Sequence, residues 1–346
     1  MQIVLQVLFC FLGIDVSKGT LEVFLSYSDS RKSRSRQFPN TKEGCLALLA
    51  WLGEDASSCR VVMEATSRYH RLCERALLDH CALVELLNPR RARALSVGLG
   101  LSDKDDKVDA KVLSQAARLL QEQNLSVPCV AAQDLRDFSR TIDQMKEDAA
   151  KYLKRIEGLA TESAAYQACT KAAKELKALA ASQEKVWAEQ AEGEPETWRR
   201  YTLAISVPSV GKVTARIVAV ELPANLDRVT MRKIVGYAGL AARRNQSGDK
   251  SLPPAIYGGN VRLRTGLFMA AMHSVFKSGR YLPFYQHLKD RKHINVKTEG
   301  GRHLKAITAV MRKILTNILA VINRNEPWKE MPPENKNVPA CKTAAA

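Results

Sequence analysis

Four acidic residues stand where chemistry could be built. Asp15 ends the apolar run FLGIDVS, Glu64 ends the short apolar run RVVMEA, and Asp106 and Asp109 lie one helical turn apart, so both project from one face. Four carboxylates cannot all stay ionised in one pocket unless cations neutralise them. Oxygen donors of this kind suit Mg2+ or Mn2+, and two such ions about 4 Å apart clamp a phosphodiester during in-line displacement. Any one of these acids alone is ordinary; the ordered set carries the meaning. A second candidate is Ser247, in the basic stretch Arg243-Arg244-Asn245-Gln246-Ser247-Gly248. Taken alone, Ser-Gly in such a loop reads as a flexible turn. Beside cations that stabilise a phosphoryl transition state, the hydroxyl becomes a candidate nucleophile.

These residues need elements to hold them. FLGIDVS reads as a strand, LEVFLSY as its hairpin partner after a Lys18-Gly19 turn, and Ser35 to Phe38 as a third strand. Thr41 and Glu43 open a helix carrying Leu46, Leu49 and Leu52. RVVMEA is a buried strand, TSRYHRLCERALLDH an amphipathic helix opened by Thr66 or Ser67, and ALVELLN a strand closed by Asn88-Pro89. Asp106 to Leu120 forms a helix with Val108, Val112, Leu113 and Ala116 on one face. The sum over residues 1–128 is a mixed α/β sheet with helices.

Residues 129–195 read as a helical linker. Leu135, Phe138, Ile142, Met145, Ala149, Tyr152, Ile156 and Leu159 form an a/d seam, and Cys169, Ala172, Leu176, Leu179, Gln183 and Val186 a second. The pair suits a helical hairpin, an intermolecular coiled coil or an ordinary bundle. Residues 196–331 read as mainly helical. Around Pro208 and Val210-Gly211 a tight turn leads into a helix whose N-terminal N–H groups suit phosphate, with Lys212 and Arg216 beside it. Residues 332–346 are Pro/Asn/Lys-rich and expected to be disordered.

The net charge of +17 is segregated. Residues 199–346 hold 26 Lys+Arg against 8 Asp+Glu, a net of +18, and residues 1–198 a net of −1. A solubility charge would be spread along the chain; this one describes a nucleic-acid-binding module joined to a neutral one. No run of 18 apolar residues is present, so no membrane-spanning helix is expected. The apolar stretch Met1–Leu12 lacks the basic start of a signal peptide and reads as the approach to a strand or as a start-site artefact. Eight cysteines without a CxxC pair fit reduced thiols in a cytoplasm, and His70, Cys73, His80 and Cys81 match no standard zinc spacing. A sugar-kinase-like or actin-like ATPase would need further phosphate-binding glycine loops, and none occurs in order.

GIDVSKGTLEV, VVMEATSRYHRLCERAL and LLNPRRARALSVGLGLSDKDDKVDAKVLSQAARL, in this order, resemble the DEDD transposases of insertion sequences, relatives of the Piv site-specific invertases. GLAARRNQSG resembles that family's Gly-Leu-x-Pro-x-x-x-x-Ser-Gly segment, with Ala242 in place of Pro. GGNVRLRTGLFMAAMHSVF resembles its basic Gly-x-x-x-Leu-Arg helix through Gly259, Leu263 and Arg264. The resemblance covers residues 11–330. It implies a RuvC-like (RNase H-fold) domain whose Asp15, Glu64, Asp106 and Asp109 hold Mg2+ or Mn2+. It also implies a nucleophilic Ser247 that forms a covalent phosphoserine link with DNA, and a coiled coil used to assemble a dimer or tetramer. The partners implied are donor and target DNA and an element-encoded bridge RNA, gripped by Lys212, Arg216, Arg243, Arg244, Arg264, Arg312 and Lys313. Where the family carries Thr before the third acid, this chain has Asp105. A water-using nuclease of the Holliday-junction-resolving type and a non-catalytic binding protein are the alternatives.

Overall fold

The computed structural model describes residues 10–64, 69–78, 80–81, 83–101, 105–119, 130–223, 226, 229–247, 250–256, 258–277, 279–290 and 299–329. For 130, 243–247, 250–255 and 299 it describes the backbone alone. The chain forms two compact units, Met1–Val130 with Pro223–Asn225, and Ala131–Leu222 with Leu226–Ala346.

The first unit is built on a five-stranded sheet. Its strands are β1 (Cys10–Val16), β2 (Thr20–Tyr27), β3 (Arg34–Pro39), β4 (Cys59–Glu64) and β5 (Leu83–Leu87), in the order β3-β2-β1-β4-β5. β1–β2 and β2–β3 are antiparallel; β1–β4 and β4–β5 are parallel. β1 and β4 are apolar almost throughout because helices cover both their faces. On one face Cys10, Leu12, Ile14, Val61 and Met63 meet α1 (Lys42–Leu52) and α2 (His70–Leu78). On the other, Phe11, Val62 and Leu87 meet α3 (Pro89–Gly98) and α4 (Asp106–Leu119).

Local rules explain most of these boundaries. Thr41 caps α1 by accepting from Gly44 N at 3.1 Å. Its buried stripe is Cys45, Leu48 and Leu52, whereas Leu46 is 65% exposed. Residues 45, 48 and 52 keep the three-and-four spacing that 46, 49 and 52 lack. α3 was read from the sequence only as the end of a strand. Asn88 caps it by accepting from Arg90 N at 2.9 Å, and Pro89 opens its first turn. The predicted caps Thr66 and Ser67 lie outside the described residues.

The second unit begins with α5 (Val130–Arg155) and α6 (Ala164–Glu192), which pack as an antiparallel pair. Trp187 Nε1 donates to Leu135 O at 2.9 Å, and Lys146 reaches Glu184 at 2.6 Å. Of the first expected row, Leu135, Ile142 and Ala149 are buried and Phe138, Met145 and Tyr152 half-buried, whereas Ile156 and Leu159 lie beyond the end of α5 and Leu159 is exposed. The buried row of α6 is instead Ala173, Ala180, Trp187 and Ala191, while Leu179 of the expected row is 43% exposed. The buried row lies one residue on from the expected one, at Ala173, Ala180 and Trp187 in place of Ala172, Leu179 and Val186.

The core behind this pair comes from α7 (Pro195–Ser206), α8 (Lys212–Glu221), α9 (Met231–Tyr237), α10 (Val261–Phe276), α11 (Leu282–Asp290) and α12 (Glu299–Arg324). Residues Gly300–Arg324 of α12 are long and apolar enough to cross a membrane, but more than half of that stretch is buried within the unit as core. Between α9 and α10 a two-stranded hairpin, β6 (Arg243–Ser247) and β7 (Lys250–Ala255), replaces the loop read from the sequence.

A polar seam rivets α5 to α8 and α10. Arg216 donates to Ser139 O at 2.7 Å and to Asp143 at 2.5 Å, and Arg262 takes the other oxygen of Asp143 at 2.6 Å. Arg140 chelates the buried Glu221 at 2.8 and 2.9 Å. Removing one partner of such a buried pair leaves an uncompensated charge, which costs about 3–5 kcal/mol. Arg216→Ala leaves Asp143 its pairing with Arg262 but strips Ser139 and Asp143 of buried donors, so it should lower the unfolding free energy of this unit by about 1–3 kcal/mol, measured by denaturant titration. A change below 1 kcal/mol would show that the seam contributes little.

Candidate functional site

Asp15 sits at the end of β1, opposite Glu22 of β2. Glu64 ends the neighbouring parallel strand, one step beyond the last paired positions, Ile14 and Met63. Side chains alternate along a strand, so Phe11, Gly13 and Asp15 share a face with Val62 and Glu64. That face is the one covered by α4, whose first turn carries Asp106 and Asp109. Geometry of the backbone thus brings all four acids to one end of one face.

What brings α4 so close is Gly13. A Cβ at this position would lie 2.0 Å from Ala110 O and 2.2 Å from Ser114 N, so the helix backbone rests on the strand backbone. Ser114, buried in the contact, donates to Phe11 O at 2.8 Å and shares a 2.8 Å bond with Ser26 Oγ. Arg60 of β4, paired with Glu85, donates to Ala117 O at 2.9 Å and fixes the far end. Asp105 accepts from Lys107 N at 3.2 Å and, through its carbonyl, from Asp109 N at 2.9 Å, which is how a helix N-cap behaves. Asp105 thus stands at the cap, and Asp106 and Asp109 lie in the first turn of α4.

The electrostatics record the convergence. Burial, then the charges of Asp106, Asp109 and Glu64, push the carboxyl of Asp15 up to about 6. Burial and then Asp109 push Glu64 above the usual carboxylate range. Asp106 is exposed and Asp109 half-buried, so the cluster opens to solvent on the helix side. As arranged, no three His, Cys, Asp or Glu among the described residues stand close enough to cage a metal ion. The donors nevertheless fit a hard divalent cation by type: oxygens only, with mutual repulsion that a cation would relieve. Glu22, a fifth acid on this face, is buried and takes a hydrogen bond from Gln37 Nε2. The sequence reading passed over it, although its place opposite Asp15 follows from the hairpin register.

Ser247 belongs to the second unit. It is the last residue of β6 and pairs with Lys250, so it stands at the tip of the hairpin. Arg243 and Arg244 lie on the same strand, and their side chains fall outside the described part of the structure. The other predicted contacts divide. Lys212 is exposed in the first turn of α8. Lys313 is exposed with its ammonium 4.6 Å from the ring centre of Phe284. Arg216 is 2% exposed and consumed by Ser139 and Asp143, so it offers no surface cation. Arg264 and Arg312 each donate to a backbone carbonyl, of Gly258 and Leu240.

Comparison with known proteins finds related sequences along most of the chain. A family model of DEDD type for IS110 elements, described as transposase, matches residues 12–164. A second, described as transposase of the IS116/IS110/IS902 family, matches residues 201–286. The pilin gene-inverting protein of Moraxella bovis is 25% identical over 327 residues, covering 92% of this chain and 97% of its own. That of Moraxella lacunata is similar to the same extent. A putative transposase of Sinorhizobium fredii is 24% identical over 155 residues, 42% of each chain.

Two outcomes follow from the acid cluster. Folded Asp15 keeps its proton to about pH 6, whereas an unfolded Asp releases it near pH 4. Between those values the folded state binds more protons, so metal-free stability should fall as pH rises through the window. Thermal melts should show this, with Mg2+ reversing it at pH 7, and Asp15→Asn should weaken both effects, leaving the smaller contribution of Glu64; a flat profile would contradict the cluster. Gly13→Ala should push α4 off β1, lowering stability by about 1–3 kcal/mol and weakening Mg2+ binding in the same titration.

Proposed function

The chain belongs to the IS110 family of transposases, and from that premise we propose that it is a DNA recombinase that cleaves and rejoins strands through a phosphoserine intermediate. The observation that carries the reading is the convergence of Asp15, Glu64, Asp106 and Asp109 on one sheet face, with Asp15 pushed up to about 6. The strand order β3-β2-β1-β4-β5, with acids at the ends of β1 and β4, supports a RuvC-like domain. Mg2+ or Mn2+ held by the four acids supplies charge neutralisation and Lewis acidity at the scissile phosphate.

The Ser247 hydroxyl attacks phosphorus. A Ser Oγ–P ester forms, the P–O bond to the leaving deoxyribose oxygen breaks, and the serine proton ends on that oxygen. One ester replaces another, so the ends can be rejoined without ATP. Lys212, Arg243, Arg244 and Lys313 hold nucleic-acid backbone, a role that reads charge and shape and leaves sequence to a guide RNA of the element. Donor and target DNA are the substrates, and the antiparallel pair α5–α6 assembles a dimer or tetramer as a coiled coil. The pilin gene-inverting relatives support a reaction that reverses or moves a DNA segment.

The test is a covalent adduct. Purified protein with its co-isolated RNA, supercoiled DNA and Mg2+ should give a DNA-linked species on denaturing gels. Ser247→Ala and Glu64→Gln should each remove it; strand cutting that persists in Ser247→Ala would instead identify a water-using nuclease. Binding should also weaken steeply with salt, by about 10³-fold or more between 50 and 200 mM if six or more phosphates are held. A shallow salt slope would contradict the basic grip.

A further inference from the structure

The hairpin β6–β7 joins the helical body through two short segments, Tyr237–Leu240 before it and Gly258–Asn260 after it. They are locked together. Gly239 (φ +69) and Gly259 (φ +82) both adopt the left-handed conformation that favours glycine. A Cβ on Gly259 would lie 2.3 Å from Gly239 Cα, and one on Gly239 would lie 2.1 Å from Arg264 Nη1 and 2.7 Å from Gly258 O. Asn260 N donates to Tyr237 O at 2.7 Å, and Asn260 Nδ2 donates to the buried Glu221 at 2.8 Å. Each stem of the hairpin is also held from the core. Arg312 of α12 donates through Nε to Leu240 O at 2.8 Å, and Arg264 of α10 donates through Nη1 to Gly258 O at 2.8 Å.

We propose that Gly239, Gly259, Arg264 and Arg312 form a clasp at the base of the hairpin that sets where Ser247 stands. Arg264 and Arg312 are then positioning residues for strand cleavage, not contacts for nucleic acid. The inference rests on the reading of Ser247 as nucleophile. Its physical basis is leverage. A two-stranded ribbon alone is marginally stable in water, so its direction is fixed only at its base. Five residues of strand reach about 17 Å at ~3.3 Å each, so a tilt of about 3–4° at the clasp moves the tip by about 1 Å. A misplacement of that size in a reacting group costs on the order of 10²-fold in rate.

The test uses the full chain with its RNA and three readouts: amide hydrogen exchange over residues 243–255, nucleic-acid affinity as a function of salt, and single-turnover adduct formation. Arg312→Gln and Arg264→Gln should speed exchange in the hairpin about tenfold or more and slow adduct formation about a hundredfold. Affinity and its salt slope should stay within about twofold. Arg312→Lys, which keeps a donor, should recover part of the rate. Gly259→Ala should resemble the arginine variants or fail to fold, and the arginine variants decide in either case. Weakened binding with a salt slope reduced by about one per arginine, and an unchanged hairpin, would overturn the proposal in favour of phosphate contacts. Loss of protection throughout the unit, with binding and adduct falling together, would overturn it in favour of a merely structural role. An adduct that survives Ser247→Ala sinks the nucleophile assignment, while the exchange result still decides the clasp.

Discussion

A helix lying backbone to backbone on a strand, at the one position where that strand has no side chain, is the contact on which the acidic site depends. Gly13 removes the spacer that would otherwise hold α4 a side chain's width above β1. Two acids come from strand ends and two from the helix, so their separation is set by the distance between layers. A helix at the ordinary spacing would leave Asp106 and Asp109 too remote to perturb Asp15. Burial first, and then the charges of Asp106, Asp109 and Glu64, raise its proton affinity. Ser114, Arg60 and the Asp105 cap are subordinate to this contact, because each fixes a helix that Gly13 has already admitted.

The two units treat charge in opposite ways. The first gathers like charges at the acid site, where they raise one another's proton affinity. The second is strongly basic, yet several of its arginines turn inward: Arg200 onto Glu196, Arg216 and Arg262 onto Asp143, while Arg264 and the exposed Arg312 each spend one donor on a backbone carbonyl. Asp143 lies on α5, in the part of the chain that is neutral overall, so the boundary in composition is not the boundary in structure. Guanidinium suits this use because its planar fork donates along several directions while its charge stays fixed. The formal charge of the C-terminal part therefore overstates the number of cations it can offer to a polyanion.

Much of the first unit was legible because its signals are local. Short apolar runs, the Lys18-Gly19 turn and the Thr41 cap depend on a few adjacent residues, and Asp15 and Glu64 follow from the ends of those runs. The second unit was less legible, for reasons particular residues make plain. The inner row of α6 runs through Ala173 and Ala180, one residue on from the expected Ala172 and Leu179, and Leu179 faces out. Arg216 carries the same charge as Lys212 four residues earlier, yet one is buried on Asp143 and the other is exposed. No pattern within α8 distinguishes them, because the partner is 73 residues away. The strand character of residues 243–255 was hidden by polar and Gly/Pro-rich composition that reads as loop, and Pro253 and Pro254 are tolerated because a two-stranded ribbon consists entirely of edges.

The place of α12 along the chain has a consequence for synthesis. This helix supplies Ala306 to Ile322 to the second core and the arginine that reaches Leu240, and it follows every other element of its unit. On the ribosome, the sheet with its acids is complete once residue 130 or so has emerged, and domains fold largely in that order. The hairpin with its serine must wait for nearly 200 residues more before its support exists. A nascent or truncated chain thus holds its acidic cluster long before the base of the hairpin can be set.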